Sequence, residues 1–151
     1  MMIRKRMEKF FDLLNGRTLD CIYPVCEMLI FEFGNISLHV QCFARIMQRN
    51  KILLTTLDYQ NWDEITDTNN DEWYHLSQYR EIIVNNCVIK AELTAMNDIF
   101  IRLENDISIQ IFISHGAPHY IDECEQWRIF EKDNEEDPHI VVYADKVELH
   151  E

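Results

Sequence analysis

Residues 36–46 read ISLHVQCFARI. Apolar and polar side chains alternate along this stretch, which is the pattern of a β-strand that buries one of its faces. We therefore predict one strand over residues 36–48, with His39, Gln41 and Arg45 on its polar side. The opposite side of that strand carries the apolar set, which is Leu38, Val40, Cys42, Ala44 and Ile46.

Strand patterns flank this stretch on both sides. Residues 26–33 precede it and end at a Gly34-Asn35 turn signal, and residues 52–56 follow it after a polar turn at 48–51. Three strands that are joined by short turns form an antiparallel meander.

A second meander and a terminal hairpin are predicted further along the chain. Asparagine and aspartate form their turns, because both residues tolerate left-handed backbone and bond to their own main chain. The predicted strands of this second half are 87–96, 98–104, 107–114, 125–131, 139–143 and 146–150.

Two amphipathic helices complete the predicted fold. Apolar residues recur at helical spacing over residues 3–14 and over about 72–84. We predict irregular or short extended structure over 17–25, because Pro24 interrupts regular pairing there. Together these elements predict a single α+β domain over 1–151, with one strongly curved antiparallel sheet of two meanders and roughly seven or eight strands.

The formal net charge of -13 limits the classes of partner. It repels nucleic acid phosphates and anionic lipid, so we predict neither a nucleic acid partner nor a membrane. It attracts a basic protein, although the same charge can serve only to keep the protein soluble. The N-terminal residues lack a signal-peptide pattern, and the five cysteines are an odd number, so we predict reduced thiols and a cytoplasmic location.

The chain offers few catalytic or metal-binding patterns. His39 and Cys42 fall on opposite sides of the predicted strand, so they cannot pair as base and nucleophile. The best metal candidate is His115, His119 and Cys124, but this spacing on a loop is equally that of ordinary loop residues. We therefore predict no metal, no cofactor and no enzymatic activity.

A long acidic segment over 58–71 combines carboxylates with aromatic side chains. Aromatic residues anchor protein interfaces and carboxylates steer a basic partner toward them. The alternative interpretation is that Trp62 and Trp73 fold the segment back onto the sheet. The predicted partner-binding residues are Tyr59, Trp62, Asp63, Glu64, Asp67 and Asp71.

Two segments, LHVQC-x-x-RI and WR-x-F … PH-x-VV, resemble those of a family of small uncharacterised bacterial proteins. The resemblance implies a single-domain cytosolic protein, and some members are similar to the immunity partners of polymorphic toxins. It implies no catalytic residues. The matching positions are Leu38, His39, Val40, Gln41, Cys42, Arg45, Ile46, Trp127, Arg128, Phe130, Pro138, His139, Val141 and Val142.

Two functions are therefore open from the sequence. The first is a protein-interaction module, such as an immunity protein that neutralises a basic toxin. The alternative is a small-molecule-binding protein or enzyme whose pocket contains His39, Gln41, Arg45 and Arg128. The two arginines can equally bridge the two meanders, because a guanidinium can bond several carbonyls or carboxylates. The protein is a monomer or a homodimer, and an exposed strand edge would suit a dimer.

Overall fold

The computed structural model describes residues 2–61, 64–65, 73–116 and 124–151, which form two α-helices and twelve strands. The helices are α1, Met2–Leu14, and α2, Tyr74–Ile83, and a 3-10 helix spans Thr56–Asn61. The strands are β1 Thr18–Leu19, β2 Cys21–Val25, β3 Met28–Phe33, β4 Ile36–Val40, β5 Phe43–Gln48, β6 Lys51–Thr55, β7 Asn86–Leu93, β8 Ile99–Leu103, β9 Ile107–Phe112, β10 Glu125–Glu131, β11 His139–Tyr143 and β12 Val147–His150.

The strands form two six-stranded antiparallel sheets rather than one sheet of seven or eight strands. The first sheet has the order β1-β7-β8-β9-β5-β6, and the second has the order β12-β11-β10-β4-β3-β2. The arrangement includes a strongly curled half-barrel. The predicted α+β class, the antiparallel pairing and the strong curvature are confirmed, and the predicted number of strands was too low.

The stretch ISLHVQCFARI is not one strand. β4 ends at Val40 in the second sheet, and β5 begins at Phe43 in the first. Between them, the backbone N–H groups of Gln41 and Cys42 both donate to the carbonyl of Gln126, over 2.8 and 3.2 Å. The chain therefore passes from one sheet to the other at these two residues, and the predicted strand over 36–48 was wrong at this point.

The side chain of Gln126 also stabilises this junction between β4 and β5. It is fully buried. Its Oε1 accepts from the backbone N–H of Ser114 over 2.8 Å, and its Nε2 donates to the Cys124 carbonyl over 3.1 Å. Nε2 also lies 2.8 Å from Nδ1 of His115. Because a buried amide needs partners for its donors and acceptor, these contacts fix the junction in one arrangement.

The core lies between the inward faces of the two sheets and against α1. Trp127 is fully buried, its ring meets Phe11 edge-on with centroids 5.7 Å apart, and its Nε1 donates to the Asn97 carbonyl over 2.9 Å. The inward side chains of β9 show the strict alternation that strands require. These are Ile107, Ile109 and Ile111, all fully buried.

The predicted asparagine and aspartate turns are confirmed by the backbone. Asn97, Asn105 and Asp106 have positive φ values of 69°, 61° and 60°. These angles lie in the left-handed region, which both residue types tolerate better than most others. The two turns join β7 to β8 and β8 to β9 in the predicted order.

Residues 17–25 form β1 and β2, which agrees with the predicted short extended structure, but Pro24 does not interrupt the pairing. β2 lies at the edge of the second sheet, and Pro24 is paired with Leu29 there. An edge strand tolerates proline because its outer side needs no N–H donor.

Replacing Gln126 tests the importance of the junction. We expect Gln126→Leu to lower the free energy of unfolding by about 1–3 kcal/mol, because buried polar groups lose their partners. Urea unfolding measures this quantity. Gln78→Leu, on the exposed face of α2, is the control and should change stability by less than about 0.5 kcal/mol. Equal losses in both variants would show that the junction does not depend on this amide.

Candidate functional site

A group of interacting polar side chains lies on the outward face of the second sheet, around β10. Trp127 and Ile129 point into the core and are fully buried, so Arg128 and Phe130 point outward by strand alternation. In the register of the sheet, Arg128 pairs with His39 of β4. We call the group the outer cluster, and its members are His39, Gln41, Glu125, Arg128, Phe130 and His139.

An arginine–carboxylate fork is the centre of the outer cluster. Arg128 donates from Nε to Oε2 of Glu125 over 2.9 Å and from Nη2 to Oε1 of the same carboxylate. Gln41 adds a third bond, from its Nε2 to Oε2 over 3.0 Å. Bidentate arginine–carboxylate pairs fix geometry as well as charge.

The fork changes the acidity of both partners. Burial by itself would raise the pKa of Glu125, but the bonds and charge of Arg128, with the bond from Gln41, outweigh it and lower the pKa. The hydrogen bonds to Glu125 raise the pKa of Arg128 in turn. The pair is therefore fully ionised near neutral pH.

His139 is held as a neutral imidazole. Its Nδ1 lies 3.1 Å from Nη1 of Arg128, and a guanidinium can only donate, so Nδ1 accepts and Nε2 carries the hydrogen. Its ring stacks on Phe130 with centroids 3.7 Å apart and planes at 9°. Burial, followed by the charge of Arg128, lowers the pKa of His139.

His39 lies on the other side of the same phenylalanine. Its ring meets Phe130 edge-on, with centroids 5.0 Å apart. Burial lowers the pKa of His39, and Arg128 lowers it further, while Glu32 opposes the change. Phe130 is thus enclosed by two imidazoles that both resist protonation.

The outer cluster brings together three of the four predicted pocket residues and separates the fourth. Arg45 lies in the first sheet, where its Nε donates to Oε1 of Gln110 over 2.7 Å and its guanidinium lies over the Phe112 ring at 5.8 Å. The prediction that Arg45 shares a strand face with His39 was wrong, because the chain changes sheet between them. The Arg45–Gln110 bond joins β5 of the first predicted meander to β9 of the second, as expected for an arginine that bridges them. The bonds of Arg128 join residues of the β10–β11 hairpin.

Glu125 and His139 join this site, although neither was a predicted site residue. A β-bulge between Glu125 and Trp127 shifts the register of β10 against β11, so simple alternation misplaces Glu125. His139 belongs to the PH-x-VV segment, but its contact with Arg128 depends on the pairing of β10 with β11. That hairpin was predicted from the sequence, so pairing its two strands could have indicated that His139 lies near Arg128.

The predicted partner-binding residues fall largely outside the described part of the chain. Trp62, Asp63, Asp67 and Asp71 lie outside it, and Glu64 is exposed. Tyr59 packs against Trp73, with ring centroids 6.0 Å apart.

Trp73 packs into the protein, as the alternative interpretation of the acidic segment expected. It is buried, and its Nε1 donates to the Cys26 carbonyl over 2.9 Å. This tryptophan is therefore part of the core rather than an interface anchor.

Two of the three metal candidates, His115 and Cys124, lie in the described part of the chain. His119 lies outside the described residues, and both His115 and the Cys124 carbonyl contact the Gln126 side chain. Within residues 2–61, 64–65, 73–116 and 124–151, no three His, Cys, Asp or Glu side chains are grouped as metal ligands. Cys42 lies in the core as predicted, and burial raises the pKa of its thiol to about 12.

Comparison with known proteins finds no matching family model, no matching curated protein and no matching solved structure. The resemblance to small bacterial immunity-like proteins therefore stays a prediction. Neither helix of the described chain has the length and apolar character that crossing a bilayer requires.

The two cluster histidines predict a loss of stability in mild acid. Both have a folded pKa below the usual value of 6.5, so the unfolded chain takes up protons first as the pH falls through 6.5. The two neutral histidines therefore contribute fully to the free energy of unfolding above pH 6.5, and this contribution declines below it. We expect His39→Gln and His139→Gln to show a smaller loss of unfolding free energy between about pH 7.5 and about pH 5.5 than the wild type.

The exposed His75 of α2 provides the control, as His75→Gln. Urea unfolding at each pH gives the free energies. A pH dependence that is unchanged in both cluster variants would contradict the proposed protonation states.

Replacing Arg128 by lysine should lower the free energy of unfolding. Lysine cannot reproduce two parallel bonds to one carboxylate, so we expect Arg128→Lys to cost about 1–2 kcal/mol of unfolding free energy. Arg49→Lys is the matched control, because the Arg49 and Asp106 side chains are 77% and 66% exposed. An exposed pair contributes little. NMR titration of Glu125 should also show a higher pKa in Arg128→Lys, and an unchanged titration would contradict the role of the fork.

Proposed function

We propose that this protein is a non-enzymatic cytoplasmic interaction domain that binds a basic protein, as the immunity partner of a basic toxin does. The observation that carries the proposal is an exposed acidic turn between β10 and β11. We define the acidic turn as residues 133–136, which contain Asp133, Glu135 and Glu136, all exposed.

The acidic turn is held in place at both of its ends. On one side, the Lys132 N–H donates to the Asn35 carbonyl over 2.8 Å, and Asn35 Nδ2 donates to Asp133 over 3.1 Å. On the other side, Asp137 accepts a hydrogen bond from Arg6 of α1. Fixing a loop before binding lowers the entropy lost on association, so a held acidic turn suits recognition.

The neighbouring positive charges do not neutralise this turn. Nζ of Lys132 lies 3.2 Å from Oε2 of Glu32 in β3, and Arg6 donates a hydrogen bond to Asp137. The carboxylates of the acidic turn therefore add to the overall charge of -13. Such a surface accelerates association with a basic partner and gives that association a strong salt dependence.

The acidic turn and Trp73 contact opposite ends of β3. Trp73 bonds to Cys26 in the β2–β3 turn, while the acidic turn bonds to Asn35 in the β3–β4 turn. These two turns lie at opposite ends of β3. We assign the basic partner to the acidic turn, because Asp133, Glu135 and Glu136 are all exposed.

A small-molecule role is the second candidate, and one observation favours it. A depression of about 370 Å³ lies where β4 passes to β5, and Gln41, Tyr59 and His115 line it together with Cys42. This differs from the pocket expected around His39 and Arg45, which do not line this depression.

The test asks whether a basic protein is encoded beside this gene and measures its binding to a variant whose acidic turn carries no charge. We expect the Asp133→Asn, Glu135→Gln, Glu136→Gln triple variant to bind at least about tenfold more weakly at low salt. The wild-type affinity should also fall as salt is raised, because screening weakens exposed charges. Isothermal titration calorimetry measures both effects.

The control removes the same charge elsewhere, as Asp12→Asn, Glu81→Gln and Asp145→Asn, which are all exposed. Equal weakening in both triple variants would show that net charge alone, rather than the acidic turn, determines binding. The absence of any basic neighbour, or the lack of binding at low salt, would overturn the proposal. If the neighbour is a toxin, co-expression should restore growth with the wild type and less with the first variant.

A further inference from the structure

A pair of like charges lies on the outward face of the first sheet. Lys90 of β7 and Arg102 of β8 are directly opposite each other in the strand register. Ser108 of β9 is the next residue across, opposite Arg102. Side chains at directly opposite positions start about 5 Å apart and share a face, so the two cations and the hydroxyl converge.

This pair differs from Arg45 of β5 and from Arg49 of the β5–β6 turn. Arg45 donates to Gln110 and Arg49 donates to Asp106, so both have a partner. Lys90 and Arg102 are exposed, and neither side chain has a hydrogen bond or ion pair to another residue in the described part of the chain. Like charges directly opposite in a sheet are destabilising, and an anion between them removes that cost.

A depression lies on the sheet surface at this position. This depression of about 150 Å³ is lined by Lys90, Glu92, Phe100, Arg102, Ser108 and Gln110, together with the backbone around them. Gln110 uses its Oε1 to accept from Arg45, so its amide N–H groups are available as donors. A larger open depression adjoins it and shares Arg102 and Ser108.

We propose that Lys90, Arg102 and Ser108 bind the phosphate group of a small phosphate monoester. Arginine offers a planar fork for phosphate oxygens, lysine a point charge and serine a hydroxyl donor. The charge of -13 does not prevent this, because screening limits its reach to about 8 Å at physiological salt.

Two further residues define the rest of the ligand. Phe100 lines the depression and meets Phe112 edge-on, with centroids 5.7 Å apart, so one wall is aromatic. Glu92 lies on the same face as Lys90, two residues along β7. Its carboxylate opposes a second negative group at that end, which favours a monoester over a polyphosphate.

The experiment compares inorganic phosphate, ribose 5-phosphate and adenosine monophosphate by titration calorimetry at constant ionic strength. We expect Lys90→Gln and Arg102→Gln to weaken binding of all three by about tenfold or more, because each removes a charge-assisted bond. Glu92→Gln should strengthen binding. Lys5→Gln, on the exposed side of α1, makes the same charge change as Lys90→Gln and should alter affinity by less than about twofold.

The two organic ligands distinguish the source of the phosphate. Tighter binding of adenosine monophosphate, lost in Phe100→Leu, assigns a nucleotide, whereas equal affinity assigns a sugar phosphate. Either result supports the site. The proposal is overturned if the wild type binds none of the three ligands, or if Lys5→Gln weakens binding as much as Lys90→Gln does.

Folding of the variants is checked by urea unfolding without ligand. Removing one member of a like-charge pair should leave the stability of Lys90→Gln equal to or above that of the wild type. Lost binding in a stable variant then reports on the site rather than on the fold.

Discussion

The rest of the structure depends on one carbonyl group, that of Gln126, which accepts hydrogen bonds from the N–H groups of both Gln41 and Cys42. Those two residues leave the second sheet and enter the first, so their N–H groups lie outside both regular ladders. Buried backbone donors without acceptors are costly. By supplying the acceptor from β10, the chain continues β4 into β5 while β4, β10 and β11 remain paired beside the junction.

The outward faces of the two sheets differ in how their charges are matched. On the second sheet, Arg128, Glu125 and Gln41 satisfy one another, and the two neutral imidazoles enclose Phe130. A network of this kind makes the face rigid, because each partner fixes the next. On the first sheet, Lys90 and Arg102 face each other without such partners in the described chain. The outer cluster stabilises the protein without a ligand. The repulsion between Lys90 and Arg102 is relieved only when an anion binds between them.

Most helices and strands could be predicted from the sequence, but the way in which the strands pair into two sheets could not. Strand and helix patterns are local, so 125–131 and 139–143 were predicted with the bounds that β10 and β11 have. The division of 36–48 could not be predicted, because alternation continues unbroken through Gln41 and Cys42 while the change of sheet depends on Gln126, which is distant in the sequence. For the same reason, the cluster of His39 with Arg128 required the β4–β10 pairing, which a single sequence does not reveal. The acidic segment was recognised by composition, but the core position of Trp73 depends on its bond to Cys26.

The order of the strands has a consequence for how the chain acquires this structure. The second sheet joins β2, β3 and β4 from the N-terminal part to β10, β11 and β12 from the C-terminal part. Pairings between distant segments close large loops, and domains rich in such pairings reach the native state slowly. During synthesis, β4 has no partner on one side until β10 leaves the ribosome, so its exposed edge must be kept from pairing with other chains throughout that interval.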